Sequence, residues 1–446
     1  MPVEVSSRMI IDLQKYKQAL ESIEAVRVNG KVTQVVGLTI EAEGPEARLG
    51  ELCHIMSNNS NEPLLAEVVG FRDNKVLLMP LGELSQIGPG CDVVATGRTL
   101  EVKVGPEILG KILDGLGRPL EGTLPHGLVS YPANNQPPNP ITRPRIKEPL
   151  SVGVRAIDGL LTIGKGQRVG IFAGSGVGKS TLLGMIARNT TADINVIALI
   201  GERGREVLEF IERDLGEEGL KRSVVVVATS DQPAMIRIKG AMIATAIAEY
   251  FRDRGMNVML MMDSVTRFAM AQREIGLAIG EPPATRGYTP SVFALLPKLL
   301  ERAGTAERGS ITAFYTVLVD SDDMNDPIAD AVRGILDGHI VLDRKIAQKG
   351  HYPAIDILAS VSRVMSEITS EEHQEAARQL KRYMATYREA EDLINIGAYK
   401  MGTNREIDAA IRYRDVIREF TAQGTHEPSD LQGTIKALTA HFGGVN

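Results

Sequence analysis

The chain opens on a run in which Met9, Leu13, Tyr16, Leu20 and Ile23 recur at steps of four and three, with polar residues between them. That spacing predicts an amphipathic helix within residues 1–24, its apolar stripe covered either by its own protein or by a docked partner. From Val26 to Gly97 the pattern shortens to β-rich runs such as KVTQVVGLTIEA, AEVVGF and KVLLMPL, punctuated by GPEARLG, RDN and IGPG. Short strands at this spacing predict a small closed β-barrel over 25–97. Residues 98–149 lead out of it and end in YPANNQPPNPITRPRIKEP, which holds six of the chain's 22 prolines in 19 residues. Proline fixes its own φ and keeps its predecessor extended, so 98–149 reads as a connector.

Beyond it, strand-like runs alternate with helical ones: RVGIFA, NVIALIG, SVVVVAT, NVMLMMD and ITAFYTVLV. These strands are apolar on both faces, which predicts an α/β domain over 150–365 with a parallel sheet covered by helices on each side. After Met365 the strands stop, and 366–446 reads as a helical domain.

Composition narrows the function classes. With 446 residues, 43% hydrophobic and 24% charged, the chain is long enough for two or three domains of ordinary globular type. A net charge of −6 gives no general attraction to nucleic acid or to an anionic membrane. The two cysteines, Cys53 and Cys91, fall in β-rich segments and are expected to be buried, reduced thiols. The seven histidines show no pair at metal-ligand spacing, so no zinc site is expected. The first residues lack a cationic start followed by an apolar core, and no apolar stretch nears the ~18 residues a membrane helix needs. The expected location is cytoplasmic, peripheral to a membrane at most.

The stretch FAGSGVGKST, residues 172–181, lies between a strand-like and a helical run. It fits the phosphate-binding pattern G-x-x-x-x-G-K-[ST] except that Ala173 stands where the first glycine belongs. Gly174, Gly176 and Gly178 give the backbone freedom to aim N–H groups at phosphate oxygens, with Ser175, Val177 and Thr181 completing the cradle. Lys179 is placed to reach the β- and γ-phosphates and the Ser180 hydroxyl to ligate Mg²⁺. The loop is therefore a nucleotide site, with ATP and Mg²⁺ the expected ligands. NVMLMMD closes on Asp263, 84 residues after Lys179 with two strands between, as a Walker B carboxylate holding Mg²⁺ would. IALIGERGRE carries Glu202 just past another core strand. Neighbouring strand ends meet at one edge of a parallel sheet, so Glu202 can face the γ-phosphate and take a proton from the attacking water.

Four long motifs, GQRVGIFAGSGVGKST, ALIGERGREV, MLMMDSVTRFAMAQREIGLAIGEPPATRGYTPSVF and DGHIVLDRKIAQKGHYPAIDILASVSRVM, together resemble the ATPases of type III protein export. The likeness is strongest to the flagellar export ATPase, is more distant to the catalytic subunit of rotary ATP synthases, and spans roughly residues 25–440. It implies a β-barrel, a RecA-like P-loop ATPase core and a helical C-terminal domain, assembled as a homohexamer. It also implies that Arg203 lies beside the catalytic Glu202 and that Arg267 approaches the γ-phosphate. Tyr352 would pack on the adenine, and Arg363 would be an arginine finger given to the neighbouring subunit. The implied partners are a regulatory stalk protein docking on the N-terminal helix, the export gate, export chaperones and export substrates. The implied location is the cytoplasmic face of the export apparatus.

Other readings stay open at this level. The injectisome export ATPase is set apart only by the wording of FAGSGVGKST and AMAQREIGLAIGEPP, which look more flagellar than injectisome-like. A rotary ATPase subunit is disfavoured because the tail, about 80 residues after Met365, lacks a DELSEED-like acidic run. A Rho-like RNA translocase is disfavoured because the barrel segment lacks aromatics interleaved with Lys and Arg, so no nucleic-acid partner is expected. Glu202 argues against a non-catalytic nucleotide-binding subunit.

Overall fold

The computed structural model describes residues 29–56, 62–84, 87–319 and 325–443. The helix expected within 1–24 lies outside these residues. Two units separate at Arg98/Thr99.

In the first unit, alternation of buried and exposed positions builds six short strands: β1 (Gly30–Val36), β2 (Thr39–Glu43), β3 (Leu52–Met56), β4 (Leu64–Arg72), β5 (Lys75–Pro80) and β6 (Asp92–Ala95). They close into a barrel in the order β1-β2-β5-β4-β3-β6, with β6 returning to β1 through Gly30↔Val93. Closure leaves no free strand edge. Val32, Ile40, Ile55, Val68, Leu78 and Val93 fill the interior with Cys53 and Cys91, which are both free thiols. Burial, and to a lesser degree the charge of Glu51, pushes the Cys53 thiol up to about 11, so it stays protonated and inert.

In the second unit, β7 (Glu101–Val104) pairs with β9 (Val129–Pro132), β10 (Pro149–Leu150) pairs with β11 (Ile163–Gly164), and β8 (Ile112–Asp114) joins the main sheet. The remaining strands are β12 (Arg168–Ala173), β13 (Ile194–Ile200), β14 (Ser223–Ala228), β15 (Asn257–Asp263), β16 (Gly304–Thr305), β17 (Ser310–Leu318), β18 (Gly338–Leu342) and β19 (Ile355–Ser362). The sheet runs β19-β18-β12-β17-β15-β13-β14-β8. It is parallel except for β19 at one edge and the short β16 lying against β17. Every residue of β13 and β14 is buried, as expected of strands covered on both faces.

Residues 98–149 are more than a spacer. Val225 to Val227 of β14 pair with Ile112 to Asp114, so this stretch extends the main sheet by one strand. Its proline-rich part is tied to the helix Ala234–Arg252 by side chains: Tyr131 donates to Asp253 (2.8 Å) and Asn135 to Glu249 (2.8 Å).

The C-terminal helices Glu371–Asn395, Arg405–Thr421 and Leu431–Phe442 start on side-chain caps from Ser370, Asn404 and Asp430. Their buried faces are continuous with the sheet domain: Leu380, Ile417, Phe420 and Phe442 share one core with Ile157, Leu160 and Leu183. Gly159 sits under the Phe420 ring, where a Cβ would come within 2.9 Å of it. None of the described helices is long and apolar enough to cross a membrane.

Candidate active site

Strand β12 ends at Ala173, and the chain then turns through Gly174–Gly178 into the helix Lys179–Asn189. Gly176 (φ 78°) and Gly178 (φ 92°) hold left-handed conformations that a side chain would strain, which is why the turn needs glycine there. The side chain of Val177 is buried and anchors the loop from beneath. Among the described residues no side chain caps the N-terminus of the helix, so its first N–H groups and its positive dipole end are available to an anion.

The strand order brings the acidic residues to this loop. Between β12 and β15 lies only β17, and β13 follows β15. Asp263 closes β15, and Glu202 sits two residues past β13, at the same sheet edge. Lys179 Nζ lies 2.5 Å from Asp263 Oδ1 and 3.2 Å from Glu202 Oε1. Burial lowers Lys179, yet the two carboxylates more than offset this and hold the ammonium above its ordinary range. Burial first, then the charge of Asp263, pushes Glu202 up to about 7, although Lys179 pulls it down. A carboxyl group titrating there is matched to proton transfer at neutral pH.

Lys179 and Glu202 line a cavity of about 470 Å³ together with Ser175, Ser180, Thr181, Arg203, Arg267 and residues of the helix beyond Gly204. Arg267 enters from the helix Val265–Ile279, whose first turn is capped by the Ser264 hydroxyl accepting from the Arg267 N–H (3.2 Å). Its Nε is buried with no hydrogen-bond partner among the described residues, so the guanidinium reaches the cavity with unspent donor capacity. Arg203 is largely exposed and leans toward Glu206 at 3.6 Å. Among the described residues no cluster of three or more His, Cys, Asp or Glu could cage a metal. A hydroxyl and a single carboxylate, Ser180 and Asp263, are the kind of sparse oxygen set that suits Mg²⁺ beside phosphates.

The remaining two predicted residues fall in different places. Tyr352 is half-exposed and stands over the loop, its ring 3.6 Å from where a Cβ of Gly178 would lie. Arg363 follows β19 and is far from the loop of its own chain. β19 runs antiparallel, pairing Ser362 with Gly338, while β18 and β12 pair Leu342 with Ala173. The five steps of β12 from Arg168 to Ala173 separate the two levels, on the order of 16 Å of strand. Among the described residues the exposed Arg363 side chain donates only to the Arg333 carbonyl (3.2 Å).

Two site features escaped the sequence. Thr316 of β17 donates to Asp263 Oδ1 (2.7 Å) and is fully buried. A hydroxyl inside the apolar run ITAFYTVLV was the available signal. Glu206, Glu209, Arg213 and Asp214 line the far wall of the cavity from a helix that passes through a π-turn at Phe210–Leu215, and no local pattern announces them.

Three family models match in chain order: the ATP synthase alpha/beta family beta-barrel domain over residues 32–97, the nucleotide-binding domain of that family over 153–362, and the T3SS EscN ATPase C-terminal domain over 369–440. The chain is 60% identical over 432 residues to the flagellum-specific ATP synthase of Bacillus subtilis, covering 96% of this chain and 99% of that protein. It is 53% identical to the type 3 secretion system ATPase of Xanthomonas euvesicatoria, covering 95% and 96%. The assembled ATPase EscN of the enteropathogenic E. coli type III secretion system superposes with a TM-score of 0.87 at 51% identity, covering 92% of this chain and 99% of that one. A second structure holds EscN in complex with its central stalk EscO, with a TM-score of 0.85 at 50% identity and the same coverage. Relatives of both kinds are matched nearly end to end through the barrel, the P-loop domain and the C-terminal helices, and the chain accordingly belongs to the family of flagellum-specific ATP synthases and type III secretion ATPases.

Proposed function

We propose that this chain is the ATP-hydrolysing motor of flagellar type III protein export. It would work in the cytoplasm at the inner face of the export apparatus, as a homohexamer threaded by a stalk protein. The observation that carries the hydrolytic reading is the buried Lys179 held between Asp263 and a Glu202 that titrates near 7.

The chain's own groups supply most of the chemistry. The loop N–H groups and the helix N-terminus bind the phosphates, and Lys179 leaves its carboxylates to pair with the β- and γ-oxygens. Released from Lys179, Glu202 accepts a proton from the water attacking the γ-phosphorus, and that proton rests on its carboxyl until product release. Arg267 donates to the γ-phosphoryl oxygens as charge builds on them. Tyr352 offers the face of its ring to the adenine beside Gly178. Ser180 and Asp263 are the residues that would hold Mg²⁺, which when bound neutralises phosphate charge.

The placement of Arg363 supports a ring. It is exposed and stands at the sheet edge opposite its own loop, as a finger serving the next subunit must. The central stalk of the EscN complex supports a stalk partner, with the N-terminal helix as its proposed docking strip and export chaperones and substrates as the cargo. The high identity to flagellum-specific relatives favours flagellar export, whereas the EscN-type C-terminal domain supports an injectisome ATPase as the second reading. Deleting the gene in its own host is the test. Loss of filaments and swimming, restored by the native chain and not by Glu202→Gln, is expected; a deletion strain that swims normally removes the flagellar reading.

A further inference from the structure

We propose that Thr316 is a positioning residue for Asp263, fixing which carboxylate oxygen faces Lys179 and which is left for the metal–phosphate side. The inference rests on the hydrolytic reading of the site. Asp263 extends the β15–β17 pairing by one step beyond Met262↔Tyr315, which sets Thr316 beside it, and Thr316 is also paired with Ile171 of β12. Thr316 thus occupies the strand between the phosphate loop and the Walker B carboxylate. Its hydroxyl is fully buried and lies 2.7 Å from Asp263 Oδ1, against 3.3 Å from the Met262 carbonyl, so its single proton goes to the carboxylate.

Lys179 contacts the same oxygen, at 2.5 Å. Both donors therefore converge on Oδ1, and Oδ2 takes no donor among the described residues. The terminal torsion of an aspartate is broad and two-fold. With Lys179 alone the carboxylate can swing with the ammonium when it leaves for the phosphates. The Thr316 hydroxyl is on a rigid central strand and holds Oδ1 through that exchange, keeping Oδ2 directed to one place. A valine would fill the same space and keep the packing, so the hydroxyl, not the volume, is what the site uses at this position.

The test compares Thr316→Val, Thr316→Ser and Thr316→Ala. Binding of Mn²⁺ to the protein carrying ADP is read by electron paramagnetic resonance, and the half-saturating Mg²⁺ for turnover is read in parallel. Loss of a buried hydrogen bond to a charged group predicts roughly tenfold to a hundredfold weaker Mn²⁺ binding in the valine and alanine variants. Thr316→Ser is expected to stay within threefold of the native chain. ADP affinity without metal is expected to be unchanged in all three. Thr316→Val with native Mn²⁺ binding overturns the proposal, and so does Thr316→Ser falling as far as Thr316→Ala, which would make the methyl group the cause. Glu202→Gln measured alongside separates the two levels. If it hydrolyses ATP normally, the reading of the site fails; if it is inactive while Thr316→Val is native-like, only the role of Thr316 fails.

Discussion

Gly201 lies directly against the stem of Arg267: a Cβ built on it would stand 2.6 Å from Arg267 Cβ and 2.9 Å from Cγ. Its φ of 73° adds a second reason for glycine. The contact limits where the guanidinium projects: among the described residues it is held otherwise only by a long hydrogen bond from Nη1 to Met270 Sδ (3.8 Å), with Nε unpartnered.

Gly201→Ala therefore acts on stability and on catalysis together. The left-handed backbone costs about 1–2 kcal/mol for alanine, and the Arg267 stem must move by several tenths of an ångström. With Arg267 in its proposed place at the γ-phosphoryl group, kcat should fall by about tenfold with little change in ATP binding, since a misplacement of about 1 Å can cost about a hundredfold. Steady-state kinetics and urea unfolding of the variant check both halves. Native kcat would show that Arg267 needs no such support.

Glu202 gives the site a pH dependence with opposite signs for activity and stability. Its folded pKa of about 7 is above the ordinary 4.5, so the fold favours the protonated carboxyl. That contribution to stability is complete below about pH 4.5 and is lost as pH rises through about 7. With Glu202 as the proposed base, hydrolysis needs the anion, so kcat/KM should rise about tenfold per pH unit below 7 and level off above it. Lys179 is held above its ordinary range and brings no second limb near neutrality. Glu202→Gln should abolish turnover and flatten the change in stability between pH 5 and 8, measured by denaturant unfolding across that range.

Much of this was legible in the chain. The barrel follows from period-two runs such as Lys31–Ala42, because alternation with turn residues admits little else. The P-loop follows from the glycines that its φ values require, and Asp263 from its place at the end of an apolar strand. What was not legible is what folding alone brings together. Ile112–Asp114 is too short to announce itself as a sheet strand, and it pairs with β14 more than 100 residues later. Thr316 looks like one hydroxyl in an apolar run until the register sets it beside Asp263. Tyr352 and Arg363 were assigned by family likeness. Only the antiparallel turn of β19 separates them, leaving Tyr352 over the loop and Arg363 at the opposite edge.

Glu249 and Arg302 form another long-range pair, with no signal in either local sequence. They meet through two hydrogen bonds of 2.8 and 2.7 Å and are 1% and 3% exposed at their side chains. Arg302 also donates to the Ala133 carbonyl (3.0 Å), and Asn135 donates to Glu249, so the pair pins the proline-rich segment to the sheet domain. Removing one partner of such a pair leaves the other charge buried. Arg302→Ala is expected to cost about 3–5 kcal/mol, and Glu249→Met with Arg302→Leu considerably less. Thermal and urea unfolding of the single and double variants decide it; a single variant within 1 kcal/mol of native would show that the pair is solvated.

Arg363 is far from Lys179 of its own chain. Within one chain the two sit at opposite edges of the sheet, and no rotamer of an arginine spans the intervening strand length of about 16 Å. If Arg363 acts on a phosphoryl group, the phosphoryl group belongs to another copy. Arg363→Ala alone is then expected to lower kcat by ~10³–10⁵, and Glu202→Gln alone to abolish turnover. Mixing the two inactive proteins should restore activity, because a Glu202 from the first variant meets an Arg363 from the second wherever they alternate in the ring. The restored rate should rise with total protein concentration as assemblies form. A mixture as inactive as its components, under conditions where native chains and variants co-assemble, would place both residues in one site of one subunit, against the topology of β19.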